Sequence, residues 1–421
     1  MRVLILSTTT GYQVRSFGEA ASRTGIDLMF ATDRCHRLDD PWRDAAVAVR
    51  FHEEDASLQA ILDAARTRPI DGVIAVGDRP VVLAARAARA LGIRGNPPDA
   101  AAASVNKQLA RVSFAGAGLP VPWFFEADVT RRIADDPRVR YPCVVKPLGL
   151  SGSRGVIRAN TAAELDVAIA RLRALLSRKD VRAIRTGLDG AILLEGFIEG
   201  REFAIEGVMT DGVFRAFAIF DKPDPLDGPF FEEAIYVTPS DLPHTGQQSV
   251  IDQVGRAARS LGLAHGPVHA ECRVSAHGVF MLEVAARPIG GLCSKALRFS
   301  AHGDTGEASL EDVLLRHAIG EDVSRYAREP RAAGVMMIPI PTRGMLKRVH
   351  GIDAAAAVPG VEEVRMTAKP HQLLEPLPEG ASYLGFIFAR GTDSPSVVGA
   401  LKDAHARLRF EITAPIAMAA G

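Results

Sequence analysis

Short apolar runs bounded by glycine, proline or polar residues punctuate the first half of the chain, and each reads as a buried strand. Val3 to Leu6, Ile26 to Phe30 and Gly72 to Val76 are three of them. Helical spacing of apolar residues follows the turn Thr8-Thr-Thr-Gly-Tyr12 as far as about Arg23, and returns from Pro80 to Leu91. Strands alternating with helices predict an open parallel sheet, with any ligand beyond the carboxyl ends of its strands. Asn96-Pro-Pro closes this α/β domain, residues 1–95. A helix over Asp99–Gly116 comes next, stopped by Gly118-Leu-Pro-Val-Pro. Cys143 to Val145 is a strand ended by Pro147, and Thr161–Arg178 is an amphipathic helix with a capping box of Thr161 and Glu164. Ala191–Glu206 reads as strand, connection, strand; Val250–Leu261 and Leu310–Ile319 read as helices, the second leading into a polar linker, Glu321–Arg331. From Ala332 short strands and a helix, Ser394–Leu408, form a separate α+β lobe. The expected domains are thus 1–95, 96–190, 191–331 and 332–421.

Composition narrows the function classes. The 50 basic and 50 acidic residues balance, so no global field draws the chain to nucleic acid or an anionic membrane. Its four cysteines (Cys35, Cys143, Cys272, Cys293) form no CxxC pair, which points to a reducing compartment without structural zinc. Val3 to Leu6 is too short for a signal-peptide core, and no apolar run nears the roughly 20 residues of a membrane span. The expectation is a cytoplasmic protein. No GxGxxG follows the first strand and no GxxxxGK[ST] occurs, so neither common nucleotide fingerprint is present.

Two stretches carry chemistry. The first delivers Lys146 at a strand end, then Gly149-Leu-Ser151-Gly152-Ser153-Arg154-Gly155. Glycines let a backbone approach a ligand, and successive N–H groups make an anion-binding concavity. A lysine beside such a loop suits a polyphosphate, although a polar hairpin loop would look the same. The second stretch is Gly266-Pro-Val-His269-Ala-Glu271-Cys-Arg273, followed by Gly278-Val-Phe-Met-Leu-Glu283-Val-Ala285-Ala-Arg287. Period-two alternation puts His269, Glu271 and Arg273 on one face. A three-residue loop, Ala276-His277-Gly278, sets Ser275 opposite Val279 and hence Glu271 opposite Glu283. Paired carboxylates suit Mg²⁺ beside nucleotide phosphates, and Arg287 continues that face as a two-pronged donor to carboxylate or phosphate. A solvated, salt-bridged hairpin face is the alternative. Zinc on His265, His269 and Glu271 is disfavoured, because Gly266-Pro267 forbids the helix that would align them. Asp221–Pro243, with five prolines and Phe230-Phe-Glu232-Glu233, is long enough to be a substrate loop or a mobile solvated one.

Taken together, these motifs resemble the ATP-grasp superfamily of carboxylate–amine ligases, in particular its dipeptide-forming L-amino-acid ligases. Asn106-Lys107 and Val144-Val-Lys146-Pro match the two nucleotide lysines, and Ser151 to Gly155 the phosphate-covering loop. Leu194-Glu195-Gly-Phe197-Ile198-Glu-Gly-Arg-Glu202 matches the hinge, with the Glu195–Ile198 backbone on adenine and Glu202 on the ribose. Glu271 and Glu283 match the metal carboxylates, Arg287 the arginine beside the transferred phosphate. Gly344-Met-Leu-Lys, Val358-Pro-Gly-Val and Leu377-Pro-Glu-Gly-Ala match the C-terminal lobe of the amino-acid ligases. The chain departs from the pattern at Ala285, where the family has a metal-ligand asparagine, and at Gly196, where it has a lysine.

The resemblance implies an ATP-grasp fold: an N-terminal open parallel α/β domain, a mobile lid subdomain, a central antiparallel sheet and a C-terminal α+β lobe. It implies ATP and one or two Mg²⁺ ions, with Mn²⁺ as a substitute, and small-molecule carboxylate and amine substrates joined through an acyl phosphate. Arg287 would steady that intermediate. His269 would orient phosphate, assist proton removal from the amine, or simply pack. Glu232, Glu233, Gly290 and Gly291 are candidate substrate contacts, the two glycines leaving room for a bulky group. No nucleic-acid or membrane partner is expected, and a homodimer is left open. The rival functions are a purine-pathway or biotin-carboxylase-like enzyme of the same superfamily, and a nucleotide-binding regulator without turnover.

Overall fold

The computed structural model describes residues 1–8, 13–33, 46–185, 187–188, 190–301 and 306–414. Most of the Thr8–Tyr12 turn, and Cys35, lie outside the described residues. The chain divides into two compact units: 1–121, 203–219 and 242–329 make one, and 122–202, 220–241 and 330–421 the other.

In the first unit the expected parallel sheet forms in the order Ala46–Ala48, Asp27–Thr32, Arg2–Ser7, Gly72–Val76. Val3 to Leu6 are fully buried, which is why this strand reads as an unbroken apolar run rather than an alternating one. The short strand Ala46–Ala48 was not anticipated. Strands Gly278–Ala285, Gly266–Ser275, Arg201–Thr210 and Val213–Asp221 lie side by side in a second sheet. Leu4, Leu6, Phe114, Phe203, Ile205, Val254, Val268 and Val284 belong to one continuous apolar core that includes residues of both sheets.

Two expectations for this unit are corrected. The helix over Asp99–Gly116 is in fact two, Pro98–Ser104 and Lys107–Gly116. Asn106 breaks it: its backbone is extended and its side-chain oxygen accepts from the N–H groups of Gln108 and Leu109, the role asparagine plays at a helix N-terminus. The linker over 321–331 contains a strand, Tyr326–Arg328, paired with Arg298–Ala301.

The second unit has a four-stranded antiparallel sheet in the order Phe124–Asp128, Ala191–Gly196, Cys143–Pro147, Ile157–Ala159. The helix Ala162–Leu176 buries Leu165, Ile169 and Leu172 with residues of this sheet. Thr161 caps it as expected, but Glu164 accepts from the N–H of Asn160, one residue before the cap, so the box is not reciprocal. The strands Ile235–Thr238, Ala332–Ile338, Gly385–Gly391 and Val361–Met366 adjoin in that order and share a core with the helix Ser394–Arg407. The segment 221–243 is therefore not one long loop. Its strand pairs Ile235 with Met336, and Ile235 and Val237 are core residues.

His265 and His317 stack in the first unit, ring centroids 4.3 Å apart, and His317 Nε2 lies 2.9 Å from the Thr210 hydroxyl. Burial, then the charge of the neighbouring imidazole and of Arg94, pushes His317 down to about 4 from 6.5, and burial lowers His265 as well. The folded state therefore binds fewer protons than the unfolded chain. The neutral pair stabilises the fold fully above pH 6.5, and its contribution falls away as the pH drops toward about 4. For His317 the loss is on the order of 3 kcal/mol. His317→Gln is expected to flatten the dependence of the denaturation midpoint on pH across that window, measured by urea unfolding at stepped pH.

Candidate active site

The hairpin Gly266–Ser275/Gly278–Ala285 pairs Glu271 directly with Glu283, and His269 with Ala285. The route to that pairing differs from the expected one. The connecting turn is one residue shorter, so Ser275 faces Gly278 rather than Val279. The register then shifts by one between Cys272, opposite Met281, and Glu271, opposite Glu283. Leu282 is the extra residue of a β-bulge. Without it, Glu271 would face Leu282 and the two carboxylates would point to opposite faces of the ribbon.

Each carboxylate has a cationic neighbour. Glu271 Oε1 lies 3.5 Å from His269 Nε2, and Glu283 Oε1 lies 3.5 Å from an Arg287 Nη. The other nitrogen of His269, Nδ1, is 3.1 Å from Glu206, a fully buried carboxylate that also accepts from the N–H of Ile289. Burial by itself would lower the imidazole, but its bonds to Glu206 and Glu271 outweigh that and hold it up at about 9. Burial pushes the Glu206 carboxyl above the ordinary range, against the pull of His269. Arg287 donates from Nε to Asp78 at 2.7 Å and from an Nη to the carbonyl of Pro288. The carbonyl of Ile289 in turn accepts from the Gln13 side chain. Arg287 and the residues after it are thus held on both sides.

This donor set fits a divalent cation of the magnesium type. Two opposed carboxylates, both only part-buried, present hard oxygens on one face. Ala285, the next position on that face, supplies none.

In the second unit, Lys146 comes off the end of its strand and its Nζ lies 2.5 Å from the buried Glu195 carboxylate. In the following loop Gly152, Ser153 and Gly155 are left-handed, with φ of 64°, 55° and 75°. Not all of the loop is exposed. Arg154 is buried, with its guanidinium on Asp180 and on the carbonyl of Glu379, and the N–H of Gly155 donates to Pro378. A Cβ at Gly155 would come within 2.8 Å of Leu172 and 2.9 Å of Pro147, so glycine there serves packing. Ser151 and Gly152 are exposed. At the hinge, the N–H of Gly196 donates to Trp123 and that of Phe197 to Pro142, so these two donors are committed to protein carbonyls rather than to a base. The Phe197 ring has the Arg158 guanidinium 4.0 Å from its centroid and stacks with Phe231.

Glu202 and Glu233 are both bonded to Lys222, at 2.8 and 2.9 Å, and Glu233 also accepts from the Tyr236 hydroxyl. Lys222 is buried, and both carboxylates neutralise it in this arrangement. Burial raises the carboxyl of the neighbouring Glu232. Gly290 is exposed, with nothing within 4 Å of where a Cβ would stand, and Gly291 is left-handed at φ 63°. Lys107 is part-buried at the first position of its helix.

Glu206, Asp78 and Lys222 were not picked out from the sequence, although each left a signal. Glu206 is a lone charge inside the apolar run Phe203–Met209. Asp78 follows the Gly72–Val76 strand at its carboxyl end, where open α/β sheets place ligand groups. Lys222 comes directly after a strand and opens the proline-rich segment. Breaking a buried ion pair from one side leaves an uncompensated charge, at about 3–5 kcal/mol. Lys222→Met is therefore expected to lower the thermal unfolding temperature markedly, and a second change, Glu202→Gln, to recover part of the loss.

Comparison with known proteins bears on the fold and the family. Residues 139–296 match the ATP-grasp domain, 18–95 the ATP-grasp N-terminal domain and 336–413 the L-amino acid ligase C-terminal domain 2. The uncharacterized protein y4rH of Sinorhizobium fredii is 27% identical over 372 residues, covering 88% of this chain and 74% of its own. Carnosine synthase 1 of Mus musculus is 30% identical over 256 residues, 58% of this chain but only 30% of that longer protein. The crystal structure of L-amino acid ligase from Bacillus licheniformis superposes with a TM-score of 0.82 at 25% identity, covering 98% of each chain. The chain belongs to the ATP-grasp superfamily, in its L-amino-acid ligase branch.

Proposed function

We propose that this ATP-dependent carboxylate–amine ligase joins an amino acid, or an amino-acid-like acid, to an amine through an acyl phosphate. The observation that carries the proposal is the opposed Glu271–Glu283 pair with Arg287 just beyond the strand end, in a chain whose C-terminal lobe is of the amino-acid ligase type. That lobe favours amino acids over the bicarbonate or phosphorylated substrates of other ATP-grasp enzymes. The substrate carboxylate attacks the γ-phosphorus and the bond to the β-phosphate oxygen breaks, releasing ADP. The amine then attacks the acyl carbon, the carbon–oxygen bond to phosphate breaks, and phosphate departs as the nitrogen loses its proton.

Phosphoryl transfer of this kind is chiefly positioning and charge neutralisation. Lys107 and Lys146 bind phosphate oxygens, Lys146 from a position set by Glu195. Ser151 and Gly152 offer the exposed part of the covering loop. Phe197 and Ile198 flank the base, and Glu202 is the ribose partner. Magnesium bound to Glu271 and Glu283, or manganese in its place, supplies neutralising charge at the phosphates. Asp78 orients Arg287, which holds the acyl phosphate. His269 has both ring nitrogens directed at carboxylates, the connections of a positioning group for Glu271 more than of a free base. The open space at Gly290 suits a bulky substrate group.

Phosphate release and product mass, screened over pairs of amino acids with ATP and magnesium, test the reaction itself; ADP formation independent of any added amino acid would refute it. Arg287→Ala is expected to lower turnover by about 10²–10³, the usual loss on removing a donor to developing charge. Glu283→Gln is expected to shift the magnesium titration of activity to higher concentration, and an unchanged titration would take Glu283 out of the metal site.

A further inference from the structure

The bulge that aligns Glu271 with Glu283 has its own support. Arg111, in the middle of the helix Lys107–Gly116, is almost wholly buried. One of its Nη atoms donates to the carbonyls of Met281, at 2.9 Å, and Leu282, at 3.2 Å. In a regular strand successive carbonyls point to opposite edges, so two adjacent ones cannot converge on a single nitrogen. They do so here because Leu282 is the inserted residue of the bulge. The strand Gly278–Ala285 lies at the end of its sheet, and the carbonyl of Val279 on the same strand accepts from the buried side chain of Gln253. Arg111 is also four residues from Lys107, hence on the same face of one helix.

We propose that Arg111 is a positioning residue for the ligase reaction: it clamps the β-bulge at Met281–Leu282, and the clamp keeps the Glu271 and Glu283 carboxylates on one face as a metal-binding pair. The consequence for metal rests on the function proposed above, whereas the clamp itself is a property of the hairpin. A long neutral side chain at 111 fills the space without the donors, and the strand can then slip to the regular register, which turns Glu283 away from Glu271. Lysine keeps a cation, but its side chain ends one atom short of the Nη that makes both bonds, so it reaches the carbonyls less well.

The test uses the full chain with Mn²⁺ as probe, its binding followed by the electron paramagnetic resonance amplitude of the free ion at saturating ADP. Arg111→Met is expected to raise the Mn²⁺ dissociation constant by about 10-fold or more, the usual scale for losing a group that orients a metal ligand, with ADP binding in the absence of metal little changed. Arg111→Lys is expected to fall between it and the wild type. A cooperatively folded Arg111→Met protein that binds Mn²⁺ within about twofold of wild type overturns the proposal. If that variant does not fold, Arg111→Lys decides: weaker Mn²⁺ binding supports the clamp and unchanged binding overturns it. Hydrogen exchange at the amides of Glu283 and Val284 separates the two layers. Faster exchange in the variants, together with no Mn²⁺ binding by the wild type, would keep the clamp and remove the metal assignment. Unchanged exchange would remove the clamp.

Discussion

A single extra residue in a two-stranded ribbon decides what this site can do. Leu282 moves every position after it by one, and because side chains alternate along a strand, that step brings Glu283 to the face of Glu271. The backbone cost of the irregularity is an interrupted ladder with carbonyls left over. A buried guanidinium from a helix takes them up, and it comes from the same helix that begins with Lys107. The like charges so brought together are countered from both ends, by His269 on one carboxylate and Arg287 on the other. Those two cations are themselves held by acids, His269 by the wholly buried Glu206 and Arg287 by the part-buried Asp78.

The second unit follows the same logic with different parts. Each of its charged candidate nucleotide groups has an ion-pair partner: Lys146 with Glu195, Glu202 with Lys222, Arg154 with Asp180. Buried charge is tolerated only when a partner and hydrogen bonds offset the lost hydration. The pairs also fix rotamers of long side chains that would otherwise lose entropy on meeting a substrate. The covering loop is correspondingly divided, with Gly155 and Arg154 anchoring it to the unit and Ser151 and Gly152 left at the surface. That division separates a fixed base from an exposed tip.

Much of this architecture was legible in the residues. The apolar runs at Val3–Leu6 and Gly72–Val76, the helix from Val81 and the strand delivering Lys146 are all where periodicity puts them. The failures have two causes, one local and one long-range. Asn106 breaks a helix because its side chain competes for backbone N–H groups, a choice that helical spacing does not register. Ile235–Thr238 and Tyr326–Arg328 are short strands whose partners lie elsewhere in the chain, so local polarity and proline content hid them. The Glu271–Glu283 pairing was anticipated through a turn one residue too long, and the bulge made up the difference.

What the sequence determined by itself is therefore the local pattern: element types, the order of the motifs, and the presence of two glutamates, two lysines and an arginine at spacings that suit nucleotide chemistry. Those follow from interactions between residues a few positions apart, which periodicity and turn preferences record. Which groups hold those residues in place was decided only by tertiary packing. Arg111 meets Met281 across 170 residues, Asp78 meets Arg287 across 209 and Glu206 meets His269 across 63. Contacts over such separations are selected by the burial of whole elements against one another, and burial is what turns a lone polar residue in an apolar stretch into a partner that the site requires.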